Sequence, residues 1–220
     1  MENSRESYLL TNSYYNIPEL PILEYTNNNN NLIYIPNYLS ENELNPFDKI
    51  IFDIRTNMIF NESNNIGEIN INSDNMNHKF KYIAHQNGRY DIWNIAKTIK
   101  KPSILNNLIQ KSIGCLFLDA HTFTHGKWHK DTVELFECIQ NSSLPPFYYN
   151  MMIATSDINI NNGPTQFLID NIIYWVPMKR GDAIIFNGEV IHRGSSNISN
   201  QNRDLVYAIY TSSWYDEEKL

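Results

Sequence analysis

Two cysteines in 220 residues, Cys115 and Cys138, cannot build a disulfide framework, and with no Cys-x-x-Cys pair they do not suggest a thiolate zinc site either. Positive charge is also scarce. Seventeen Lys and Arg stand against 24 Asp and Glu, for a formal net charge of −7. A nucleic-acid binder shows a basic patch that releases phosphate counterions, and the densest run here, Lys97, Lys100 and Lys101, reads as one solvated helix face. Nucleic acid is therefore a disfavoured partner. No apolar stretch approaches the roughly 18 residues of a membrane span. The opening Met1-Glu2-Asn3-Ser4-Arg5-Glu6 leads into no apolar core of a signal peptide. A cytoplasmic, reducing location is the expectation.

What remains is a globular composition, 42% hydrophobic and 13% aromatic, in a chain long enough for one domain with a substantial core. Asparagine is the commonest residue, and the tract Asn27 to Asn31 has no apolar periodicity. Residues 1–31 thus read as an Asn-rich extension, whose apolar pieces (Ile17, Leu20, Ile22, Leu23) are free to dock on the main body. Ordered structure is expected from Leu32-Ile33-Tyr34-Ile35, a β-prone run stopped by Pro36. Ser40-Glu41-Asn42-Glu43 fits a capping box, and Phe47, Ile50, Ile51, Ile54 and Met58 then mark one buried helix face. Residues 61–79 are polar and predict a long surface loop or weak hairpin. Ile92–Lys100 and Ile104–Ile113 predict one or two further helices broken at Pro102.

After Gly114 the pattern changes. Short apolar runs at 115–118, 147–154, 166–169, 172–176, 183–186, 190–191 and 205–210 alternate with turn signals such as Asn162-Gly163-Pro164 and Arg180-Gly181-Asp182. Evenly spaced short strands of this kind indicate a sandwich or barrel. The expected organisation is a domain over 32–220, helical in 32–113 and β in 114–215.

Within the β part lies Trp128-His129-Lys130-Asp131. On a strand, His129 and Asp131 point to the same face and can aim at one point. His192 follows 61 residues after Asp131, at the end of an apolar run. Two imidazoles and a carboxylate on one face of a metal leave three positions open, the arrangement of non-haem Fe(II) oxygenases. A lone His-x-Asp is usually a surface pair, so its neighbours decide. Arg203 opens the next strand-like run, where a guanidinium would grip the far carboxylate of a dicarboxylic cosubstrate. His121 and His125, four apart, read either as helical zinc ligands or, better, as polar side chains near the site. The aromatic pairs Tyr148-Tyr149 and Trp214-Tyr215 read mainly as packing.

The ordered set His129-x-Asp131, Asn162-Gly-Pro-Thr165, Arg180-Gly-Asp-Ala-Ile-Ile-Phe186, His192-Arg-Gly194 and Arg203 resembles the phytanoyl-CoA dioxygenase family of 2-oxoglutarate oxygenases. The likeness spans roughly residues 82–215 and includes Gly88-Arg89-Tyr90-Asp91 upstream. It implies a mainly β fold with flanking helices (α+β) around a double-stranded β-helix, the jelly-roll or cupin-like core. It implies Fe(II) on His129, Asp131 and His192, 2-oxoglutarate held by Arg203, O₂ as cosubstrate, and ascorbate as reductant. The reaction implied is hydroxylation of a small-molecule or peptide substrate with release of succinate and CO₂, and the retained Asp131 favours hydroxylation over halogenation. Thr165 and Asn150 are candidates to hydrogen-bond 2-oxoglutarate, or else polar residues of a turn and a strand. Arg89 is a candidate to face the substrate, or to pair with Asp91 or Asp119. After Thr165-Gln166-Phe167 the family continues into Pro-Gly-Ser-His, whereas this chain runs Leu168-Ile169-Asp170-Asn171. That stretch is similar to prolyl 4-hydroxylase-like enzymes and leaves the subfamily open. A non-redox metal protein on the same β-helix is the remaining alternative.

Overall fold

A computed structural model describes residues 20–25, 31–57, 67–73, 76–84, 90–132 and 144–215. Arg89 and His85 lie outside the described residues, as do Met58, Cys138 and most of the asparagine tract. Among the described residues, eleven strands form two sheets. The larger orders β2 (Leu32–Ile35), β9 (Ala183–Asn187), β6 (Tyr148–Ala154), β11 (Arg203–Thr211), β5 (Ile109–Leu118), β4 (Met76–Ala84) and β3 (Gly67–Ser73). The smaller orders β1 (Ile22–Glu24), β8 (Ile172–Trp175), β7 (Thr165–Ile169) and β10 (Ile191–Gly194). Two helices, α1 (Glu41–Asn57) and α2 (Tyr90–Ala96), accompany them. The mainly β, double-stranded β-helix expectation holds.

Alternation along the larger sheet sorts its residues into two cores. Met151, Ile153, Ala183, Ile185, Val206 and Ala208 face outward and take the apolar stripe of α1, with Phe47 and Ile54 fully buried. Ala154, Ile184, Phe186 and Leu205 face inward and meet Phe167 of the smaller sheet and Val176, which follows β8. The start of α1 is fixed reciprocally. Ser40 donates its N–H (2.8 Å) and hydroxyl (2.6 Å) to the Glu43 carboxylate, while its carbonyl accepts from the Glu43 and Leu44 amides.

The half expected to be helical needs correction. Residues 109–113 belong to β5, not to a helix; only Ser103–Leu105 make a 3₁₀ turn before it. The spacing Ile104, Leu105, Leu108, Ile109 imitates a helical stripe, but β5 is paired on both sides, to β11 and to β4, so tertiary pairing overrides the local pattern. Gly114 accordingly sits inside the strand opposite Tyr207 rather than capping a helix. The polar stretch expected as loop or weak hairpin carries the β3–β4 hairpin, which extends the larger sheet. Helix α2 ends at Ala96, so Lys100 and Lys101 lie beyond it, and Lys101 Nζ instead caps the carbonyls of Asn106 and Leu108. Order also begins before Leu32. β1 pairs in parallel with β8, and Tyr25 is buried with its hydroxyl on the Leu32 carbonyl. Among the described residues, no helix is long and apolar enough to cross a membrane.

Candidate metal centre

His129 and His192 face each other across a single antiparallel bridge. Each amide donates to the other's carbonyl, at 3.0 and 2.9 Å, and the two imidazole centroids lie 4.4 Å apart. This bridge ties the segment carrying His129 to the edge of the smaller sheet, where β10 is held by β7 with His192 opposite Phe167. Asp131 is brought in by a second contact, its amide donating to the Gly188 carbonyl at 3.0 Å. That approach requires glycine at 188. A Cβ there would stand 2.6 Å from the Tyr148 ring and 2.8 Å from the Thr132 methyl. Gly188 thus lets the backbone that accepts from the Asp131 amide pack close against Tyr148 and Thr132.

The three side chains converge. His129 Nε2 is 3.6 Å from Asp131 Oδ1, His192 Nε2 is 3.4 Å from Asp131 Oδ2, and all three ligand atoms lie within 4.8 Å of one another. Donors 2.0–2.2 Å from one ion at right angles are about 3 Å apart, so the spacing suits a shared metal. Both rings are set for it. Nδ1 of His129 lies 2.9 Å from the Lys127 carbonyl and Nδ1 of His192 2.9 Å from the Val190 carbonyl. A carbonyl only accepts, so each Nδ1 carries the proton and each Nε2 offers its lone pair to the centre. Burial pushes the His192 pKa down to about 4, against the opposing pull of Asp131, so its ring is neutral and ready to ligate. The His192 side chain is 5% exposed, whereas those of His129 and Asp131 are 26% and 25% exposed, so the described centre is more open at His129 and Asp131 than at His192.

Behind the bridge, Arg193 lies over the Trp128 ring at 4.4 Å and donates through Nε to Gln166 at 2.8 Å. These residues alternate with the two histidines, so the stack braces the opposite face of the same segments. Lys130 and Thr132 both engage Glu189, flanking Asp131 in the same way.

Arg203 is buried to 1% at the start of β11. Its neighbour Asp204 points to the helix layer, where Arg55 holds it and Asp119 together, so Arg203 shares the barrel interior with Leu205. Burial lowers its pKa to about 10, opposed by Asp204, which leaves it charged at neutral pH. Thr165 lines the same interior, its hydroxyl 3.5 Å from Met152 Sδ. The preceding Gly163, at φ +82°, packs on Leu118, the β5 partner of Arg203. Asn150 stands at the other end, its amide donating to Asp131 Oδ2. His121 and His125 take no part: both are exposed, and His125 Nδ1 accepts from the Ser196 amide at 3.0 Å. Sequence reasoning missed the Lys127 and Val190 carbonyls, which any residue would supply. It also missed the Trp128–Arg193–Gln166 stack, although Trp and Arg beside the two histidines were a readable sign.

The sequence matches the phytanoyl-CoA dioxygenase (PhyH) family over residues 173–205, a segment that contains both His192 and Arg203. Among solved structures, the chain resembles the α-ketoglutarate-dependent non-haem epimerase SnoN from nogalamycin biosynthesis, at 13% identity and TM-score 0.63, covering 83% of this chain and 77% of that one. HygX from Streptomyces hygroscopicus, solved with nickel, 2-oxoglutarate and hygromycin B, is similar at 11% identity and TM-score 0.63, over 85% of each chain. EctD from S. alaskensis, with 2-oxoglutarate and 5-hydroxyectoine, follows at 12% identity and TM-score 0.58, covering 83% and 72%. Over residues 173–205 the chain is therefore similar to the phytanoyl-CoA dioxygenase family, and its double-stranded β-helix fold is similar to those of these solved structures.

Proposed function

We propose that the chain is an Fe(II)- and 2-oxoglutarate-dependent dioxygenase with residues 32–220 as its oxygenase domain and His129, Asp131 and His192 as the metal ligands. The observation that carries this reading is the convergence of two Nε2 lone pairs and one carboxylate, with both rings locked through Nδ1. Two imidazoles and a carboxylate suit iron and other first-row divalent ions, and leave one side of the ion for cosubstrate and O₂. Bound there, iron would supply oxidative decarboxylation of the 2-keto acid to succinate and CO₂, coupled to oxidation of the substrate.

The protein's own contribution is placement. His192 excludes water from the inner side, while His129 and Asp131 border the open side where substrate arrives. Arg203 offers its fork to the far carboxylate of 2-oxoglutarate within the barrel, where low polarity strengthens the pair. Thr165, on the same wall, is placed to add a hydrogen bond. Arg89 remains our candidate for contact with the primary substrate, which we take to be a small molecule or a peptide.

Hydroxylation is the reaction we favour, since Asp131 occupies the position a halide would need. The solved relatives include an epimerase, so product mass separates the outcomes: gain of one oxygen atom for hydroxylation, no change for epimerisation. The decisive measurement is simpler. Anaerobic Fe(II) with 2-oxoglutarate should give the visible charge-transfer band of the chelate, and air should then release succinate. A protein that binds Fe(II) but gives neither would be a non-redox metal protein instead.

A further inference from the structure

Among the described residues, the buried amide of Asn150 is a polar side chain that the larger sheet brings onto the triad itself. Asn150 lies in the middle of β6, hydrogen-bonded across to β11 opposite Ile209 and to β9 opposite Phe186, and only 6% of it is exposed. Alternation turns it inward, away from the apolar helix layer that Tyr149 and Met151 enter. Its Nδ2 donates to Asp131 Oδ2. The orientation of the amide follows from chemistry, because an ionised carboxylate only accepts and the Asn150 carbonyl would repel it. Each aspartate oxygen faces one imidazole, Oδ2 at 3.4 Å from His192 Nε2 and Oδ1 at 3.6 Å from His129 Nε2, and Oδ2 is the one that also accepts from the Asn150 amide.

We propose that Asn150 is a positioning residue that makes Asp131 a one-oxygen ligand. With its amide on Oδ2, Asn150 draws lone-pair density away from that atom and fixes the plane of the carboxylate. Oδ1 is then the better donor to the ion. A carboxylate free to rotate would bind through both oxygens and fill one of the three positions that cosubstrate and O₂ require. Asn150 thus acts through Asp131, not by touching 2-oxoglutarate. The inference rests on the metal reading above, and its test separates the two.

The experiment is a double-mutant cycle on metal binding, titrating Co(II) alone into the apo full chain and then 2-oxoglutarate into the Co(II) form. Asn150→Ala is expected to weaken Co(II) by about 10- to 100-fold, the usual cost of losing a group that orients a ligand. The d–d spectrum should shift as the carboxylate turns. In an Asp131→Ala background the same substitution should change Co(II) affinity by less than about threefold, because the group through which it acts is gone. Asn150→Leu, close in volume, repeats the measurement should the alanine variant fold poorly. Unchanged Co(II) affinity in both single variants would overturn the proposal. So would equal losses in both backgrounds, which would mark a packing role, or intact metal binding with weakened 2-oxoglutarate, which would return Asn150 to the cosubstrate. A wild-type chain that takes up no Co(II) would instead overturn the metal centre itself.

Discussion

The two faces of the larger sheet are built from the same strands and do different work. On β6, Tyr149, Met151 and Ile153 enter the helix layer, while Asn150 and Met152 line the barrel. On β11, Val206, Ala208 and Tyr210 pack outward, while Arg203 and Leu205 turn in. Among the described residues the outer face is mainly apolar and held by burial, with Asp204 held there by Arg55 together with Asp119. The inner face buries charged and polar groups that cost stability and are arranged around one point. One register separates them, since a slip of a single residue would exchange the faces. Stability and chemistry are therefore expected to respond to different substitutions on adjacent residues.

Removing a ligand tests the inner face most severely. Asp131→Ala should reduce succinate formation, with Fe(II), 2-oxoglutarate and ascorbate, to background, because two histidines alone hold and orient iron poorly. Chloride should enter no product of the wild type, and a chlorinated product would break the assignment of Asp131. On the outer face, Phe47→Ala should cost about 3–5 kcal/mol of stability by denaturant unfolding, the range for a fully buried phenylalanine. Below its melting transition that variant should still bind metal normally; a variant lacking the metal site would show that the two faces are coupled.

Arg203→Ala sharpens the contrast within the inner face. Loss of a charge-assisted pair in a dry interior costs about 2–5 kcal/mol, or some 30- to 5,000-fold in 2-oxoglutarate affinity. Metal binding without cosubstrate should be nearly unchanged. Unaltered 2-oxoglutarate affinity in this variant would remove Arg203 from the cosubstrate site.

The inner face was more legible in the sequence than the outer scaffold. His129, Asp131, His192 and Arg203 were legible as an ordered set with residues 162–165 and 180–186, since His-x-Asp alone would read as a surface pair. The scaffold in front of them was misread where local and tertiary preferences diverge. Residues 104–113 carry a helix-like spacing, and it is pairing with β11 that makes a strand of 109–113. The polar stretch 61–79 left loop and weak hairpin open, and the β3–β4 hairpin forms there, with β4 paired onto β5. What orients the ligands was the least legible of all. The carbonyls of Lys127 and Val190 belong to the backbone, and the amide of Asn150 reads as an ordinary strand residue until β6 is placed beside Asp131.

The smallest effect expected lies on the outer layer, at the start of α1. Ser40 donates from both its amide and its hydroxyl to Glu43, and the hydroxyl first, then the amide, hold the Glu43 carboxyl below its usual range. A carboxyl whose pKa is lowered by folding stabilises the native state above its unfolded value, and that stabilisation is lost as pH falls through the folded one. Ser40→Ala removes the larger of the two bonds and keeps the amide. The variant should therefore melt slightly below the wild type near neutrality, and the gap should close as pH falls below the ordinary glutamate range and through the lowered folded value, where Glu43 protonates in both proteins. Thermal melts across that range measure it directly. Metal affinity at neutral pH should be the same in both, since Ser40 and Glu43 serve only the helix that covers the outer face. A gap that widens on acidification would mean that Ser40 stabilises α1 by something other than Glu43.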